Sequence, residues 1–446
     1  MGAMSIGIFR LSASLSVLMV AILFLGVTAA TAHAVPTTSA GSASPSPLTI
    51  TLKTVTVGKG PEATIYDTAN KEVYVGNTLS NTVSAVNSTT YKVTTIPVGK
   101  DPIVLTYSAS SKDVYVLNEQ SNNVSVISSA NKVLHTIKLP GLAAFNQVYD
   151  PANGDVYVVS FTTTTSEVSD VNHNTWALTN LLVPAGAQFA TYDNASASLV
   201  VASSSSNELT AINATDKTTT VKLTVGLTPV WAVYNPSDKD LYISDLGATA
   251  HGYTKTGNVS VLSSANKIIK TLKVGSVPTF GTYDPSNHDV YVVNTGNRSG
   301  STYQNSTVSV IGTGNTIVKT IAVGKDAAIA VYDPKNSEMY VSAADSNKTY
   351  AINSSTNVVA ATIKTTQYAG GCLYDPALGD MLAGGESTFV NSTSTAKTIV
   401  TVIPPSNTGT STLTLGTGPL GGAVYDPTDL GVWAVNHGTT TVTIIL

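Results

Sequence analysis

The residue types that carry most enzyme chemistry are sparse in this sequence. Beyond the first 34 residues there are five histidines, which occupy different positions of the repeat described below: His135, His173, His251, His288 and His437. This scatter predicts neither a metal-binding cluster nor a nucleophile–base pair, because both need residues that the fold brings together. We therefore expect ordinary solvent-exposed histidines, no metal site, no cofactor and no catalytic residue.

Cysteine chemistry is limited in the same way. The only cysteine is Cys372, so an intramolecular disulfide is impossible, and a zinc or iron–sulfur site held by several cysteines is excluded. Cys372 stands just before Tyr374 in a segment typical of an inner β-strand. A buried, unreactive thiol is expected there.

The elements that position these residues come from a repeat. A Tyr-Asp-Pro-like turn recurs every 41 to 51 residues, which is the period of a four-stranded propeller blade. Nine tyrosines mark it: Tyr66, Tyr107, Tyr149, Tyr192, Tyr234, Tyr283, Tyr332, Tyr374 and Tyr425.

One unit shows the four strands. Residues 102–107 are apolar, Asp113–Asn118 is rich in β-branched and aromatic residues, Asn123–Ile127 alternates, and residues 132–139 supply the fourth strand. The ninth unit is one strand short, and residues 48–58 precede the first anchor without a blade of their own. Pairing the two ends removes two open sheet edges. The sequence predicts an all-β fold, a single β-propeller of about nine four-stranded blades closed by its N-terminal strand.

These units resemble the YVTN-type (YncE-like) β-propeller repeat family of exported and surface-layer proteins. The stretches that carry the resemblance are VYVLN at 114–118, VYVVN at 290–294, NVSVI at 123–127, TVSVI at 307–311 and IPVGKDP at 96–102. The resemblance covers residues 48–446 and implies the propeller fold. Quinoprotein dehydrogenases, haem d1 propellers and streptogramin lyases share that fold, so function must be argued from a site.

Unit length points to one specialised face. Three units are longer than the others, and the additional residues fall between the second and third strands, at 245–257, 295–306 and 385–397. Loops of this kind share a face with the loops that join blades, and binding residues concentrate on such loops. We predict a binding surface there that includes His251, Tyr253, Arg298, Tyr303 and Phe389. Neutral loop insertion is the alternative.

The N-terminus predicts export. Arg10 precedes an apolar run at 15–27, and small residues flank His33 at a cleavage motif, so residues 1–34 read as a signal peptide and 35–47 as a Ser/Pro/Thr-rich spacer. An uncleaved membrane anchor is the alternative. Ten Asn-x-Ser/Thr sequons are candidate glycosylation sites: Asn87, Asn123, Asn194, Asn213, Asn258, Asn297, Asn305, Asn347, Asn353 and Asn391.

The low content of charged residues restricts the classes of function that are open to this chain. Charged residues make up only 11% of the chain and the formal net charge is -4, which argues against nucleic-acid binding. The preferred interpretation is an extracellular or cell-surface propeller that binds or scaffolds without catalysis. Its partners would be envelope proteins, surface glycans or further copies of itself, with membrane attachment only through an uncleaved N-terminus. The alternative is an exported propeller enzyme of the quinoprotein or lyase type, which needs a cluster of histidine, glutamate or arginine at the channel mouth.

Overall fold

The computed structural model describes residues 50–141, 143–161, 165–249, 252–253, 256–299, 302–366, 369–385, 397–418 and 420–446. The predicted signal peptide (1–34) and spacer (35–47) lie outside the described residues. Nine four-stranded antiparallel sheets follow one another around a ring, and each sheet is one blade. The predicted all-β, nine-bladed propeller is therefore confirmed.

The strands of each blade are given from the innermost to the outermost. Blades 1 to 3 consist of Pro61–Asp67, Glu72–Asn77, Thr82–Asn87 and Val93–Pro97; Pro102–Ser108, Asp113–Asn118, Asn123–Ile127 and Val133–Lys138; and Ala143–Tyr149, Val156–Phe161, Ser166–Val171 and Leu178–Val183. Blades 4 to 6 consist of Ala187–Asp193, Ser198–Ser203, Glu208–Asn213 and Thr219–Thr224; Pro229–Asn235, Asp240–Asp245, Asn258–Ser263 and Lys267–Lys273; and Pro278–Tyr283, Val290–Asn294, Asn305–Gly312 and Thr316–Lys325. Blades 7 to 9 consist of Ala327–Asp333, Glu338–Ala343, Lys348–Asn353 and Val358–Lys364; Ala369–Asp375, Asp380–Gly385, Lys397–Ile403 and Ser411–Thr417; and Leu420–Asp426, Gly431–Asn436, Thr441–Ile445 and Leu52–Thr56.

The last blade takes strands from both ends of the chain. Leu52–Thr56 pairs antiparallel with Thr441–Ile445, so that Leu52 lies opposite Ile445 and Thr56 opposite Thr441. This pairing closes the ring and supplies the fourth, outermost strand of blade 9, so that Thr441–Ile445 has no open edge.

The turn between the first and second strands has the same construction around the ring. In seven blades it has a buried aspartate that accepts a hydrogen bond from the backbone N–H two residues on, as from Ala69 to Asp67 Oδ1 (2.8 Å) and from Ala377 to Asp375 Oδ1 (2.9 Å). Ser108 and Asn235 take the place of the aspartate in blades 2 and 5. A residue in the left-handed region closes each turn. These residues are Lys71, Lys112, Gly154, Ala197, Lys239, His288, Ser337, Gly379 and Leu430.

The core lies between neighbouring blades. The second strands are almost wholly buried, as in Asp113–Asn118 and Ser198–Ser203, whereas the fourth strands are largely exposed. Each apolar cluster joins neighbouring blades, two in most cases and three around Phe280. Val83 and Ile96 of blade 1, for example, pack with Val114 of blade 2.

A recurring hydrogen bond between a tyrosine of one blade and an asparagine of the next reinforces these packed interfaces, and we call it the tyrosine–asparagine lock. The hydroxyl of Tyr74 in blade 1 donates to Asn131 Oδ1 of blade 2 at 2.7 Å, and the hydroxyl of Tyr340 in blade 7 donates to Asn407 Oδ1 of blade 8 at 2.6 Å. Both asparagines have positive φ in the turn between the third and fourth strands. Tyr242 and Tyr291 make the same type of bond, so a tyrosine of one blade repeatedly anchors a turn of the next.

The ring has two distinct faces. One carries the loops that join blades and the loops between second and third strands, and we call it the joining-loop face. These loops bond to each other, as in Thr78 N–H to the Gly60 carbonyl at 2.9 Å. The opposite face carries the remaining turns, and we call it the turn face. The described residues contain one short 3-10 helix, Ala344–Ser346, and no helix that is long and apolar enough to cross a membrane.

Candidate functional site

The long loops of blades 5 and 6 form small hairpins on the joining-loop face. In blade 5, Ala248–Thr249 pairs with Gly252–Tyr253, and in blade 6, Arg298–Ser299 pairs with Thr302–Tyr303. Three of the five predicted binding residues, Tyr253, Arg298 and Tyr303, therefore belong to these hairpin strands. His251 and Phe389 lie outside the described residues.

The glycosylation candidates divide between the two faces. Asn87, Asn194, Asn213 and Asn353 lie on the turn face, whereas Asn123, Asn258, Asn297, Asn305 and Asn347 lie on the joining-loop face, and Asn391 is outside the described residues. At Asn87 and Asn353, the side-chain oxygen accepts hydrogen bonds from the residues two and three positions on. The Asn-x-Ser/Thr pattern thus also serves turn formation at these positions. Glycosylation of all ten stays a prediction.

A groove of about 430 Å³ opens on the joining-loop face where blades 8, 9 and 1 meet. Hydroxyl-bearing side chains line much of it, from Thr417 and from the run Thr439, Thr440 and Thr441. Lys59, Leu79 and His437 complete the lining, together with two glycines. Leu79 is 63% exposed, so the groove offers both hydrogen-bonding groups and an apolar surface.

His437 forms an ion pair beside this groove. It follows the second strand of blade 9, and its Nδ1 lies 3.4 Å from Oε2 of Glu62, which stands in the inner strand of blade 1. The Glu62 carboxylate raises the pKa of His437, although burial opposes the shift. The imidazole consequently stays protonated to higher pH than an ordinary histidine.

Two more carboxylates surround this pair. Burial and the charge of Glu62 raise the pKa of Asp101, which stands in the loop that joins blades 1 and 2. Burial, and then the charges of Asp101 and Glu62, raise the pKa of Glu119. The arrangement combines one imidazolium with three acidic groups that influence one another, so it can accept and donate hydrogen bonds to a polar ligand.

Glycines in blade 9 allow Glu62 to approach. A Cβ at Gly421 would lie 2.8 Å from the carbonyl oxygen of Glu62, and one at Gly422 would lie 3.0 Å from it. Both contacts are with backbone, which cannot rotate away. The inner strands of blades 9 and 1 therefore meet closely only because blade 9 has glycine at these two positions.

A second cluster of charged side chains lies at the interface between blades 3 and 4. Lys217 of blade 4 lies 3.0 Å from Asp155 and 3.2 Å from Asp170 of blade 3, and His173 lies 3.0 Å from Asp155. Lys217 has positive φ at the same turn position as the locking asparagines. This network therefore joins blades 3 and 4 in place of the tyrosine–asparagine lock.

The cysteine and the other described histidines lie apart from one another around the ring. Cys372 lies in the inner strand of blade 8 and is 4% exposed, and burial raises the pKa of its thiol to about 11. His135 lies in an outer strand and stacks on Trp176 at 3.8 Å, whereas His288 lies in a turn beside Tyr283. In the part of the chain that the structure describes, no three His, Cys, Asp or Glu side chains are grouped so that they could hold a metal ion.

Sequence reasoning missed the pair of Glu62 and His437. It considered His437 a solvent-exposed loop residue, but the imidazole is 24% exposed and paired. The two residues belong to the first and last repeats, so only closure of the ring brings them together. The double glycine in the ninth inner strand could not identify the pair from the sequence, because the eighth inner strand has Gly370 and Gly371 at the same two positions.

Comparison with known proteins supports the fold. No protein-family model and no curated protein matches the chain. The structure of the dihydro-heme d1 dehydrogenase NirN in complex with DHE covers 87% of this chain and 80% of its own at 13% identity, with a TM-score of 0.58. Virginiamycin B lyase from Staphylococcus aureus covers 66% and 96% at 14% identity with a TM-score of 0.45, and Kuenenia stuttgartiensis hydrazine synthase covers 84% and 99% at 13% identity with a TM-score of 0.44.

At these identities, similarity to solved structures shows the fold alone. The class of protein that fold and comparisons define is the β-propeller, and the strand order makes this chain a nine-bladed member of that class.

Proposed function

We propose that the protein is a secreted or cell-surface propeller of the YVTN type that binds an envelope partner without catalysis. The observation that carries this proposal is the groove between blades 8, 9 and 1, on the same face as the hairpins of blades 5 and 6. Ligands of propellers and other rigid scaffolds bind to loops of this kind. The predicted export signal supplies the extracellular setting.

The groove favours a surface glycan as ligand. Its threonine hydroxyls and Lys59 provide donors and acceptors for sugar hydroxyls, and the exposed Leu79 provides an apolar surface for a sugar ring. The pair of Glu62 and His437 adds charged hydrogen-bonding groups at one end. An envelope protein that contacts the hairpins is the other partner consistent with this face.

The test is a binding titration with glycans released from the envelope of the cells that make the protein. We expect H437A to weaken binding by about tenfold, the equivalent of one or two lost hydrogen bonds. The matched control is H288N on the turn face, where φ is 67° and asparagine is tolerated. Equal affinities of wild type, H437A and H288N would refute glycan binding in the groove.

Export is tested separately by the intact mass of the protein isolated from its own cells. Cleavage after Ala34 and additional mass on the sequon asparagines would support a secreted glycoprotein. A bare chain that retains residues 1–34 would contradict cleavage and favour a membrane anchor.

The pair of Glu62 and His437 favours one alternative, an exported enzyme of the lyase or quinoprotein type. A carboxylate and an imidazole 3.4 Å apart are able to move a proton on a bound substrate. Prolonged incubation of the same glycans with wild type and with E62Q distinguishes the two functions. Cleavage by wild type that E62Q abolishes would replace the binding function with a catalytic one.

A further inference from the structure

The outer wall of the ring shows an uneven distribution of charge. Fourth strands expose unpaired backbone groups, and proteins commonly protect such edges with lysine. Seven blades have an exposed lysine in the fourth strand or directly before it: Lys92, Lys138, Lys222, Lys270, Lys319, Lys364 and Lys53. The fourth strands of blades 3 and 8 have no charged residue at all.

These two edges are suited to strand pairing. Blade 3 presents Leu178–Val183, in which Leu182 is 69% exposed, the largest exposure among the large apolar residues described. Blade 8 presents Ser411–Thr417, in which Thr412 and Thr414 are exposed and favour extended backbone. Nothing in either strand opposes the approach of another strand.

The positions of the two edges suggest what covers them. Nine blades divide the ring into steps of about 40°, and four steps separate blade 8 from blade 3, so the edges lie about 160° apart. A contact between the blade 3 edge of one ring and the blade 8 edge of the next would therefore continue in nearly a straight line. Such head-to-tail contacts do not close into small rings and produce long, gently curved rows.

We propose that copies of this chain associate laterally, with the blade 3 edge of one copy paired to the blade 8 edge of its neighbour. A pairing of either edge with one of the other seven brings lysine against an uncharged strand, where its ammonium group would lose water, and pairings among those seven bring lysine against lysine. Pairing of blade 3 with blade 3, or of blade 8 with blade 8, also involves no lysine, but it would leave one of the two single variants below able to dimerise, which the test detects. All fourth strands run in the same direction along the ring axis, so copies that face the same way pair these two strands in parallel. In rows of this kind, the groove of every copy lies on the same side. The assembly rests on the proposed function as a surface scaffold and specifies how that scaffold is built.

The test is mass photometry and sedimentation velocity of the full secreted chain over a range of concentrations. Wild type is expected to form dimers and longer species as concentration rises. L182K and T414K each place a lysine on one edge, and each variant alone is expected to be monomeric. An equimolar mixture is expected to form dimers and nothing longer, because one intact edge of each type remains.

The control is V358K, which adds a lysine to the outer strand of blade 7, where Val358 is 51% exposed and Lys364 is already present. It is expected to assemble like wild type. Wild type that stays monomeric at all concentrations, single variants that still assemble, or a mixture that forms no dimer would each overturn the proposal. Glycan binding by monomeric protein would show that the assembly fails while the groove function stands.

Discussion

Asp245 is an exception at a position where asparagine recurs. Asn77, Asn118, Asn294 and Asn436 end the second strands of their blades, and the first three donate to a serine of the third strand at 3.0 Å. Asp245 is fully buried and instead accepts from Ser260 at 2.7 Å and from the Gly226 N–H at 3.2 Å. Burial raises its pKa to about 7, well above the ordinary carboxyl value.

This position gives the first prediction, for D245N. The folded protein keeps Asp245 protonated up to about pH 7, whereas the unfolded chain ionises near pH 4, so the unfolding free energy falls as pH rises between these values. Asparagine removes the titration, and D245N is expected to be more stable by on the order of 2 kcal/mol at pH 8. Denaturant unfolding of both proteins between pH 4 and pH 8 measures the difference. Parallel pH profiles would contradict the assignment.

The second prediction concerns the histidine of the groove. Because Glu62 is the main cause that raises the pKa of His437 and burial opposes it, E62Q is expected to lower that pKa toward the ordinary histidine value. Histidine side-chain titration by NMR measures it. His288, on the other face, serves as the internal control, and an unchanged His437 titration would mean that the two groups do not interact.

The pair's contribution to stability has a definite sign. His437 binds its proton more tightly in the folded state, so its contribution is complete below its unfolded pKa and is lost as pH rises through the raised folded value. In E62Q this part of the pH dependence should disappear, with only a small change in stability at pH 8.

At the scale of elements, the tyrosine–asparagine lock gives a third prediction. The Tyr340 hydroxyl accepts from Asn336 at 2.8 Å and donates to Asn407 at 2.6 Å, and both partners are part-buried. Y340F removes the donor to Asn407 Oδ1 and one acceptor of the Asn336 amide, while Glu338 still accepts from both amides, and the change is expected to cost about 1–3 kcal/mol of unfolding free energy. Y350F removes the hydroxyl of a half-buried tyrosine in the third strand of the same blade and should change stability by less than about 0.5 kcal/mol. Equal effects of the two variants on denaturant unfolding would show that the lock contributes nothing specific.

Strands and turns were predictable because their determinants are local. Asp113–Asn118 and Asn123–Ile127 have the predicted bounds, and the insertions of blades 5, 6 and 8 fall between second and third strands as expected. The aspartate turn and the alternation of apolar residues act over a few positions, so one sequence reveals them. The residues that pack against each face of a sheet could not be predicted from local sequence, because they belong to the next blade. The locking role of Asn131 or Lys217 therefore became evident only with the interfaces.

At the scale of the whole molecule, ring closure controls both stability and the site. The same seam that pairs Leu52–Thr56 with Thr441–Ile445 brings Glu62 beside His437. The sequence predicted the closure from two incomplete ends. It did not predict the pairing of Glu62 with His437, because no local sequence pattern indicates which residues of the first and last repeats come into contact.

Removal of the closing strand is the final prediction. A chain that begins at Gly58 leaves blade 9 with three strands, deprives the seam of Val55 and Val57, and exposes Val442 and Ile444, which pack with them. We expect a loss on the order of 5 kcal/mol in unfolding free energy from lost apolar burial and backbone pairing. A chain that begins at Ile50 keeps the strand and is the matched control, with an unfolding transition like that of the mature protein. Calorimetry compares the unfolding of the two chains. Because Glu62 and His437 meet across the same seam, the shorter chain should also lose the raised pKa of His437. A shorter chain with an unchanged transition would mean that the ring stays closed without the fourth strand of blade 9.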